Sequence, residues 1–203
     1  SPSSGTTVPT CFGRTATIVG TPGDDVLVGS RGADVIVSLE GDDTIHGGRG
    51  RDLICGDGGA DKLVGGAGGD WLAGSRGDDR LLGKRGKDIL RGGADDDVIS
   101  GGAKADKMSG GEGADILKGG RRRDRLAGGD DDDRLSGNRG SDQVFGSLGD
   151  DTVLAGRGAD HLSGGDGDDA LDALDGRNDD SVSGAAGTDT CVADPGDEKH
   201  GCP

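Results

Sequence analysis

An aspartate recurs every nine residues along most of the chain, and an aliphatic residue or methionine always follows it two positions later. Written in nines from Gly20, the sequence gives 17 consecutive blocks, with Asp at position six of every block and Gly at position one of 15. Carboxylate oxygens are hard ligands of the kind that calcium prefers, and glycine lets backbone carbonyls approach an ion. These residue types at this spacing therefore predict a repeated binding site for a hard cation.

The three residues after each aspartate, such as VLV at 26–28, predict a short β-strand whose middle side chain points inward. The glycines at positions one and four are expected to turn the backbone through positive φ. The predicted core is a single ladder of position-eight side chains, from Leu27 to Leu171. After Leu171 the register slips to an eleven-residue block at 173–183, in which Asp180 and Val182 take the places of the aspartate and the ladder residue. A nine-residue block follows at 184–192, with Asp189 at position six and Cys191 at position eight.

The charge of the blocks alternates with a period of 18 residues. The formal charges at positions two to five sum to −13 over the odd-numbered blocks and to +12 over the even-numbered blocks. The segment GGRRRDRLAGGDDDDRLS at 119–136 contains one block of each kind. This period indicates two blocks per coil, with the loops of odd blocks on one edge of the solenoid and those of even blocks on the other. We call these the odd edge and the even edge.

The blocks resemble the GGxGxDxUx nonapeptide of the RTX calcium-binding family over residues 20–192. The resemblance implies an all-β parallel β-roll, or β-helix solenoid, of about nine and a half coils with disulfide-capped ends, holding multiple Ca²⁺ ions between loops of successive coils. The stretch CFGRTATIVGTPGDDVLVG and the cysteine-closed end also resemble small secreted calcium-binding proteins of actinobacteria. The classical exported toxins and proteases of the family usually lack cysteines and carry a separate catalytic or membrane-active domain, so this chain departs from them.

The aspartates give two rows of candidate calcium ligands. The odd row is Asp25, Asp43, Asp61, Asp79, Asp97, Asp115, Asp133, Asp151, Asp169 and Asp189. The even row is Asp34, Asp52, Asp70, Asp88, Asp106, Asp124, Asp142 and Asp160. Two alternatives stay open for the even edge: arginines replace some ions by salt bridges to the row, or they point to solvent while ions bind on both edges. These arginines are Arg31, Arg49, Arg85, Arg121, Arg139 and Arg157.

Four cysteines, Cys11, Cys55, Cys191 and Cys202, fit no zinc pattern and predict two disulfides in an oxidising, extracellular setting. Their three possible connectivities stay open. We expect an N-terminal cap and starter strand at 1–19, the β-roll at 20–192 and a C-terminal disulfide cap at 193–203.

Outward positions of the even blocks are apolar in the first half of the chain and form an exposed strip, which usually has a cover. The strip is Val35, Val37, Leu53, Cys55, Trp71, Ala73 and Ile89. Residues 1–19, tied down by a Cys11–Cys55 disulfide, would cover it. The alternative cover is a protein partner, or a carbohydrate that stacks on Trp71.

Composition and motifs narrow the function. The 203 residues carry a net charge of −16, which argues against nucleic acid and anionic membranes as partners, and no apolar run approaches the ~20 residues of a membrane span. HExxH is absent, and His46, His161 and His200 have no evident nucleophile beside them, so no enzymatic activity is expected. The sequence predicts a secreted calcium-binding β-roll that acts as a structural, adhesive or matrix module, through self-association or a surface partner. The alternatives are a secretion- and folding-assisting tail of a larger exported protein, and a filament or sheet subunit that pairs acidic with basic edges.

Overall fold

The solenoid is built from parallel strands, each pairing with the strands one coil before and one coil after it. The structure is a computed structural model that describes residues 8–177 and 179–202, and within these ranges it contains strands and no helix. Consecutive strands alternate between a ten-stranded and an eleven-stranded sheet, which gives about ten coils. The expected all-β parallel solenoid is confirmed.

A short antiparallel hairpin precedes the two sheets and consists of β1 (Thr10–Cys11) and β2 (Arg14–Thr15). The eleven-stranded sheet contains β3 (Ile18–Val19), β5 (Val35–Glu40), β7 (Leu53–Gly58), β9 (Trp71–Arg76), β11 (Ile89–Ala94), β13 (Lys107–Glu112), β15 (Arg125–Asp130), β17 (Gln143–Leu148), β19 (His161–Asp166), β21 (Ser181–Ala186) and β23 (Glu198–His200). The ten-stranded sheet contains β4 (Val26–Val28), β6 (Thr44–Arg49), β8 (Lys62–Ala67), β10 (Arg80–Arg85), β12 (Val98–Ala103), β14 (Ile116–Arg121), β16 (Arg134–Arg139), β18 (Thr152–Arg157), β20 (Ala170–Ala173) and β22 (Thr190–Ala193).

Most strands are six residues long, twice the predicted length. They run from position seven of one block to position three of the next, as in Lys62–Ala67, so only positions four to six lie between strands. The prediction of three-residue strands was wrong because it treated the glycines at positions one and two as loop. Parallel pairing uses backbone N–H and C=O groups, which glycine supplies as well as any other residue.

Positive φ occurs at positions two and four of the blocks, as at Gly66 (111°) and Gly59 (118°). The expectation of positive φ at position one was therefore wrong. Position one needs glycine for space instead: a Cβ on Gly65 would lie 2.6 Å from Oδ2 of Asp70, which turns inward behind it. A side chain at position one would thus meet the carboxylate of its own block.

The core is the predicted ladder of position-eight side chains, one per strand, and it forms a continuous cluster along the solenoid. Its buried members are Ile36, Ile45, Ile54, Leu63, Leu72, Leu81, Leu90, Ile99, Met108, Leu117, Leu126, Leu135, Val144, Val153, Leu162, Leu171 and Val182. Neighbouring ladder residues on one sheet are 18 residues apart, and the eleven-residue block raises this separation to 20 between Leu162 and Val182. The extra two residues therefore fall outside the ladder and do not interrupt it.

The N-terminal hairpin covers the apolar strip of the first coils. Cys11 is buried and forms a disulfide with Cys55 of β7. The Phe12 ring packs edge-on against Trp71, with 5.3 Å between ring centroids. The prediction that the N-terminal segment covers this strip is confirmed for the described residues, and residues 1–7 of the predicted cap lie outside them.

The other end of the solenoid is closed by a second disulfide, between Cys191 of β22 and Cys202. Both cysteines pack against the last residues of the core ladder. The final strand, β23, pairs with β21 and adds one more strand to the eleven-stranded sheet. The exposed end of the ladder is thereby covered, as a solenoid requires.

Two position-four residues provide a test of backbone strain. Arg122 and Asp131 adopt φ of 82° and 75°, a region that costs a non-glycine residue about 1–2 kcal/mol. We expect Arg122→Gly to raise the free energy of unfolding in saturating calcium by about 1 kcal/mol, measured by urea denaturation. Asp131→Gly is the control and should gain less stability. Asp131 Oδ2 accepts a hydrogen bond from the Gly113 N–H at 3.2 Å, and the substitution removes this bond. Equal gains, or a loss in Arg122→Gly, would contradict this account.

Candidate metal centre

The structure places the predicted aspartates in two rows along the inside of the two edges. The odd row lies directly before the strands of the ten-stranded sheet and the even row before those of the eleven-stranded sheet. From Asp43 onward, every row aspartate has at most 3% of its surface exposed. Asp25 and Asp34, which begin the two rows, are half-buried.

One carboxylate oxygen of each row aspartate ties its coil to the previous one. Oδ1 accepts a hydrogen bond from the backbone N–H of the row aspartate one coil earlier. In the odd row, Asp97 Oδ1 lies 2.8 Å from the Asp79 nitrogen, and in the even row, Asp106 Oδ1 lies 2.8 Å from the Asp88 nitrogen. The two rows therefore share one geometry.

The second oxygen, Oδ2, has no partner. Seventeen row aspartates of the described chain, nine on the odd edge and eight on the even edge, have a buried Oδ2 that accepts no hydrogen bond. Asp25 and Asp34 differ because Thr21 and Ser30 at position two donate their backbone N–H and hydroxyl groups to Oδ2. A buried acceptor without a partner costs about 1–3 kcal/mol, and more when it is charged. A cation bound beside these oxygens would offset that cost.

Burial raises the pKa of many of the row aspartates in the middle of the solenoid above the ordinary value of 3.8. The pKa rises to about 8 at Asp79 in the odd row and at Asp106 in the even row. Desolvation is the main cause, and repulsion from the row aspartates of neighbouring coils adds to it. Without a cation, the folded chain therefore holds protons on groups that ionise freely in the unfolded chain.

The rows suit a hard cation. Each provides a buried, unpaired carboxylate oxygen in every coil after the first. Glycines at positions one and four, such as Gly47 and Gly59, leave the backbone carbonyls of neighbouring coils unobstructed by side chains. Calcium takes six to eight oxygen ligands from carboxylates and carbonyls in flexible geometry, and these are the donors present. The residues therefore fit Ca²⁺ on both edges.

The structure extends the even row beyond the predicted residues. Asp180, in the eleven-residue block, is buried, and its Oδ1 accepts the N–H of Asp160 at 2.8 Å. Asp197 continues the pattern, because its Oδ1 accepts the Asp180 N–H at 3.1 Å. Asp175 and Asp179 lie beside Asp180, with one oxygen of each within 4.8 Å of the others. Asp180 was predicted as the position-six residue of the eleven-residue block, whereas Asp197 was missed because it lies beyond the last recognisable block.

The odd edge carries a second ladder, which charge counting alone did not reveal. Position-five aspartates accept backbone N–H groups from the following coil, the opposite direction to the row aspartates. Asp42 Oδ1 accepts the Ala60 N–H at 2.8 Å, and Asp150 Oδ1 accepts the Asp168 N–H at 2.8 Å. The full set is Asp24, Asp42, Asp78, Asp96, Asp132, Asp150 and Asp168. The DD pairs that recur in odd blocks were the available sequence signal.

The even edge carries exposed basic side chains that form no ion pair within the described residues. All Lys and Arg residues at positions two to five of the even blocks are exposed: Arg31, Arg49, Arg51, Lys84, Arg85, Lys87, Lys104, Arg121, Arg122, Arg123, Arg139 and Arg157. Within residues 8–177 and 179–202 the ion pairs are Arg76–Glu40 and Arg177–Asp175, and neither involves these residues. Replacement of ions by arginine salt bridges to the even row, one of the two alternatives, is therefore wrong for this structure.

The raised pKa values give a pH prediction for the metal-free protein. Because the folded pKa exceeds the unfolded value of 3.8, the folded state binds more protons, and stability falls as pH rises. We expect metal-free protein to be most stable near pH 4 and to lose that stability progressively up to about pH 8, measured by urea denaturation and circular dichroism. With calcium the trend should reverse, because the ion requires ionised carboxylates. A metal-free stability that is constant or rises over this range would contradict the burial of uncompensated carboxylates.

A family comparison agrees with this geometry. The profile of the RTX calcium-binding nonapeptide repeat (4 copies) matches residues 19–54, 56–90, 73–108, 83–117, 109–144, 118–153, 145–179 and 175–197. A comparison with curated proteins gives no match. The matched segments cover nearly the whole solenoid, from the starter strand to the C-terminal cap. The chain therefore belongs to the RTX calcium-binding nonapeptide repeat family, whose repeats bind Ca²⁺ and form β-rolls.

Proposed function

We propose that this protein is a small secreted β-roll that folds on binding a row of calcium ions along each edge. The buried, unpartnered Oδ2 atoms of the row aspartates support the proposal most directly, because they recur in every coil of both edges after the first. The proposed ligands are the predicted odd and even rows, with Asp180 added to the even row. Each ion would lie between loops of successive coils.

Calcium would supply much of the folding free energy. Each nine-residue block buries one large aliphatic side chain, and this burial offsets only part of the entropy cost of ordering the backbone of the block. Strand hydrogen bonds offset part of this difference, and the buried carboxylates add repulsion. A cation between the loops removes the repulsion and joins successive coils, so binding and folding would be coupled.

The two edges would differ in affinity while sharing geometry. Odd-edge loops carry acidic groups around each site, and all even-edge loops except the one at 65–70 carry Arg or Lys, so Coulomb repulsion weakens the even sites. The even sites nearest Arg121, Arg122 and Arg123 would fill last. Odd sites would therefore fill at lower calcium concentration.

The two disulfides favour an oxidising, extracellular location. No described segment is a helix long and apolar enough to cross a membrane. We infer an N-terminal cap and starter strand at 1–19, a β-roll at 20–192 and a C-terminal cap at 193–203. A rigid rod with closed ends suits a structural, adhesive or matrix role without catalysis, in keeping with the resemblance to small secreted actinobacterial proteins.

A second candidate function is side-by-side self-association of the rods. The observation in its favour is the separation of charge, with exposed acidic groups on one edge and exposed cations on the other. A contact between unlike edges is heterologous and need not close, so it would produce sheets or filaments. Sedimentation velocity over a range of protein and salt concentrations distinguishes this assembly from a monomer.

The first test is a calcium titration of metal-free protein, followed by far-UV circular dichroism, with bound calcium counted at saturation. We expect a coil-to-β transition that takes up about one ion per unpartnered Oδ2, or roughly sixteen ions in all. Uptake of only eight or nine ions would restrict binding to the odd edge. A β spectrum that is already complete in chelator and unchanged by calcium would contradict the proposal.

Single substitutions test the assignment of the rows. Asp97→Asn and Asp106→Asn each remove one row carboxylate, and each should lower the number of bound ions by one or two and raise the calcium concentration at the folding midpoint. Asp172→Asn makes the same charge change at an exposed, outward strand position outside the loops and is the matched control. Equilibrium dialysis with calcium analysis gives the count. Equal counts in all three variants would remove Asp97 and Asp106 from the ligand set.

A further inference from the structure

We propose that the even edge is a binding site for a linear acidic polysaccharide, and that calcium loading strengthens this binding. The inference rests on the proposed occupation of both edges by calcium. It assigns a role to the exposed cations that calcium binding leaves unused, and it names the partner that a structural or adhesive module of this kind would contact.

A groove on the ten-stranded sheet forms the centre of this site. It has a volume of about 580 Å³, and its lining includes Lys118, Arg121, Arg139 and Arg157 together with Ser100 and Asn138. No Asp or Glu lines it. The groove therefore presents cations and neutral hydrogen-bond donors, which favour an anionic ligand.

The arginines of the groove are spaced to follow an extended chain. Arg121, Arg139 and Arg157 occupy the same register position on the neighbouring strands β14, β16 and β18. Neighbouring strands lie about 4.8 Å apart, so one guanidinium is available at each step along the solenoid axis. Guanidinium groups bind carboxylate and sulfate oxygens in pairs, so a polymer with regularly repeated acidic groups could contact several at once.

Calcium adds positive charge to both edges, which reduces the net negative charge of the odd edge and increases the net positive charge of the even edge. The nine odd loops, with their row aspartates, carry a formal charge of −22, and the eight even loops carry +4. Eight ions between the nine odd loops add +16 and leave −6, whereas seven ions between the eight even loops add +14 and give +18. Calcium therefore weakens the acidic edge that a second copy would offer and strengthens the cationic edge, which favours an external polyanion over self-association.

The chemistry of the sheet favours a polysaccharide over a nucleic acid. Proteins that bind single strands stack bases on aromatic rings. The strands of the ten-stranded sheet contain no Phe, Trp or Tyr. Phe12, Trp71 and Phe145 belong to the hairpin and the eleven-stranded sheet. The groove thus offers charge and hydrogen bonds without a stacking surface.

The test measures binding of fluorescein-labelled dextran sulfate to the calcium-saturated full-length protein by fluorescence anisotropy, with unlabelled neutral dextran as competitor control. We expect saturable binding that weakens with added NaCl. The variant Arg121→Gln/Arg139→Gln/Arg157→Gln should lose about tenfold or more in affinity. The matched control Arg80→Gln/Arg91→Gln/Arg134→Gln removes three exposed cations outside the groove lining and should stay within about twofold of the unchanged protein.

Four outcomes would overturn the proposal: no binding of dextran sulfate, equal losses in the two triple variants, equal affinity for an oligothymidylate of matched charge, or calcium-dependent oligomers that the groove variant abolishes. The last two would assign the edge to nucleic acid and to a second copy. Calcium counts on the same samples separate this test from the proposed function. If both triple variants bind calcium and fold while dextran sulfate fails to bind, only the polysaccharide site is wrong; if the unchanged protein binds no calcium, the proposed function is wrong.

Discussion

The stacking of buried carboxylates, one per coil along each edge, is the constraint on which the rest of the structure depends. From Asp43 onward, each row aspartate uses Oδ1 to hold the backbone of the preceding coil and leaves Oδ2 buried without a protein partner. Burial and the neighbouring carboxylates raise the pKa of row aspartates such as Asp79 and Asp106. A narrow core of one side chain per strand offsets little of this cost, which is the reason for our proposal that a cation completes the rows.

The glycine pattern follows from the same constraint. Gly65 at position one leaves the space that the Asp70 carboxylate occupies, whereas Gly66 at position two and Gly59 at position four supply left-handed backbone. Two blocks depart at position one and show what the space tolerates. Ser38 turns its hydroxyl to donate to the Gly56 carbonyl at 2.8 Å, and Ala155 is fully buried with its small Cβ. The repeat therefore uses glycine at position one for close packing, as well as at positions two and four for turns.

The two edges share one backbone geometry but differ in the side chains of their loops. On the odd edge, position-five aspartates such as Asp42 and Asp150 tie each loop to the next coil, in the direction opposite to the row hydrogen bonds. On the even edge these positions hold Ala, Gly, Ser, Arg or Lys, and the cations there form no ion pair within the described chain. The odd edge therefore has more hydrogen bonds between its loops, and the Lys and Arg side chains of the even edge stay unpaired within the described residues.

The sequence by itself determined the period, the ladder residues, the two rows and the separation of charge between edges. These follow from local residue types repeated in register, and 17 consecutive blocks with an 18-residue charge period are compatible with few coil lengths. Only the tertiary structure decided which glycines are needed for a positive φ and which are needed because a side chain would not fit. Both kinds are glycine in the sequence, and they differ only in their backbone conformation and in the atoms around them. It also decided that the even-edge arginines leave the row unpaired, that Cys11 joins Cys55, and that Asp197 continues the row beyond Asp180. Each of these depends on distances between coils, which the order of residues along the chain does not specify.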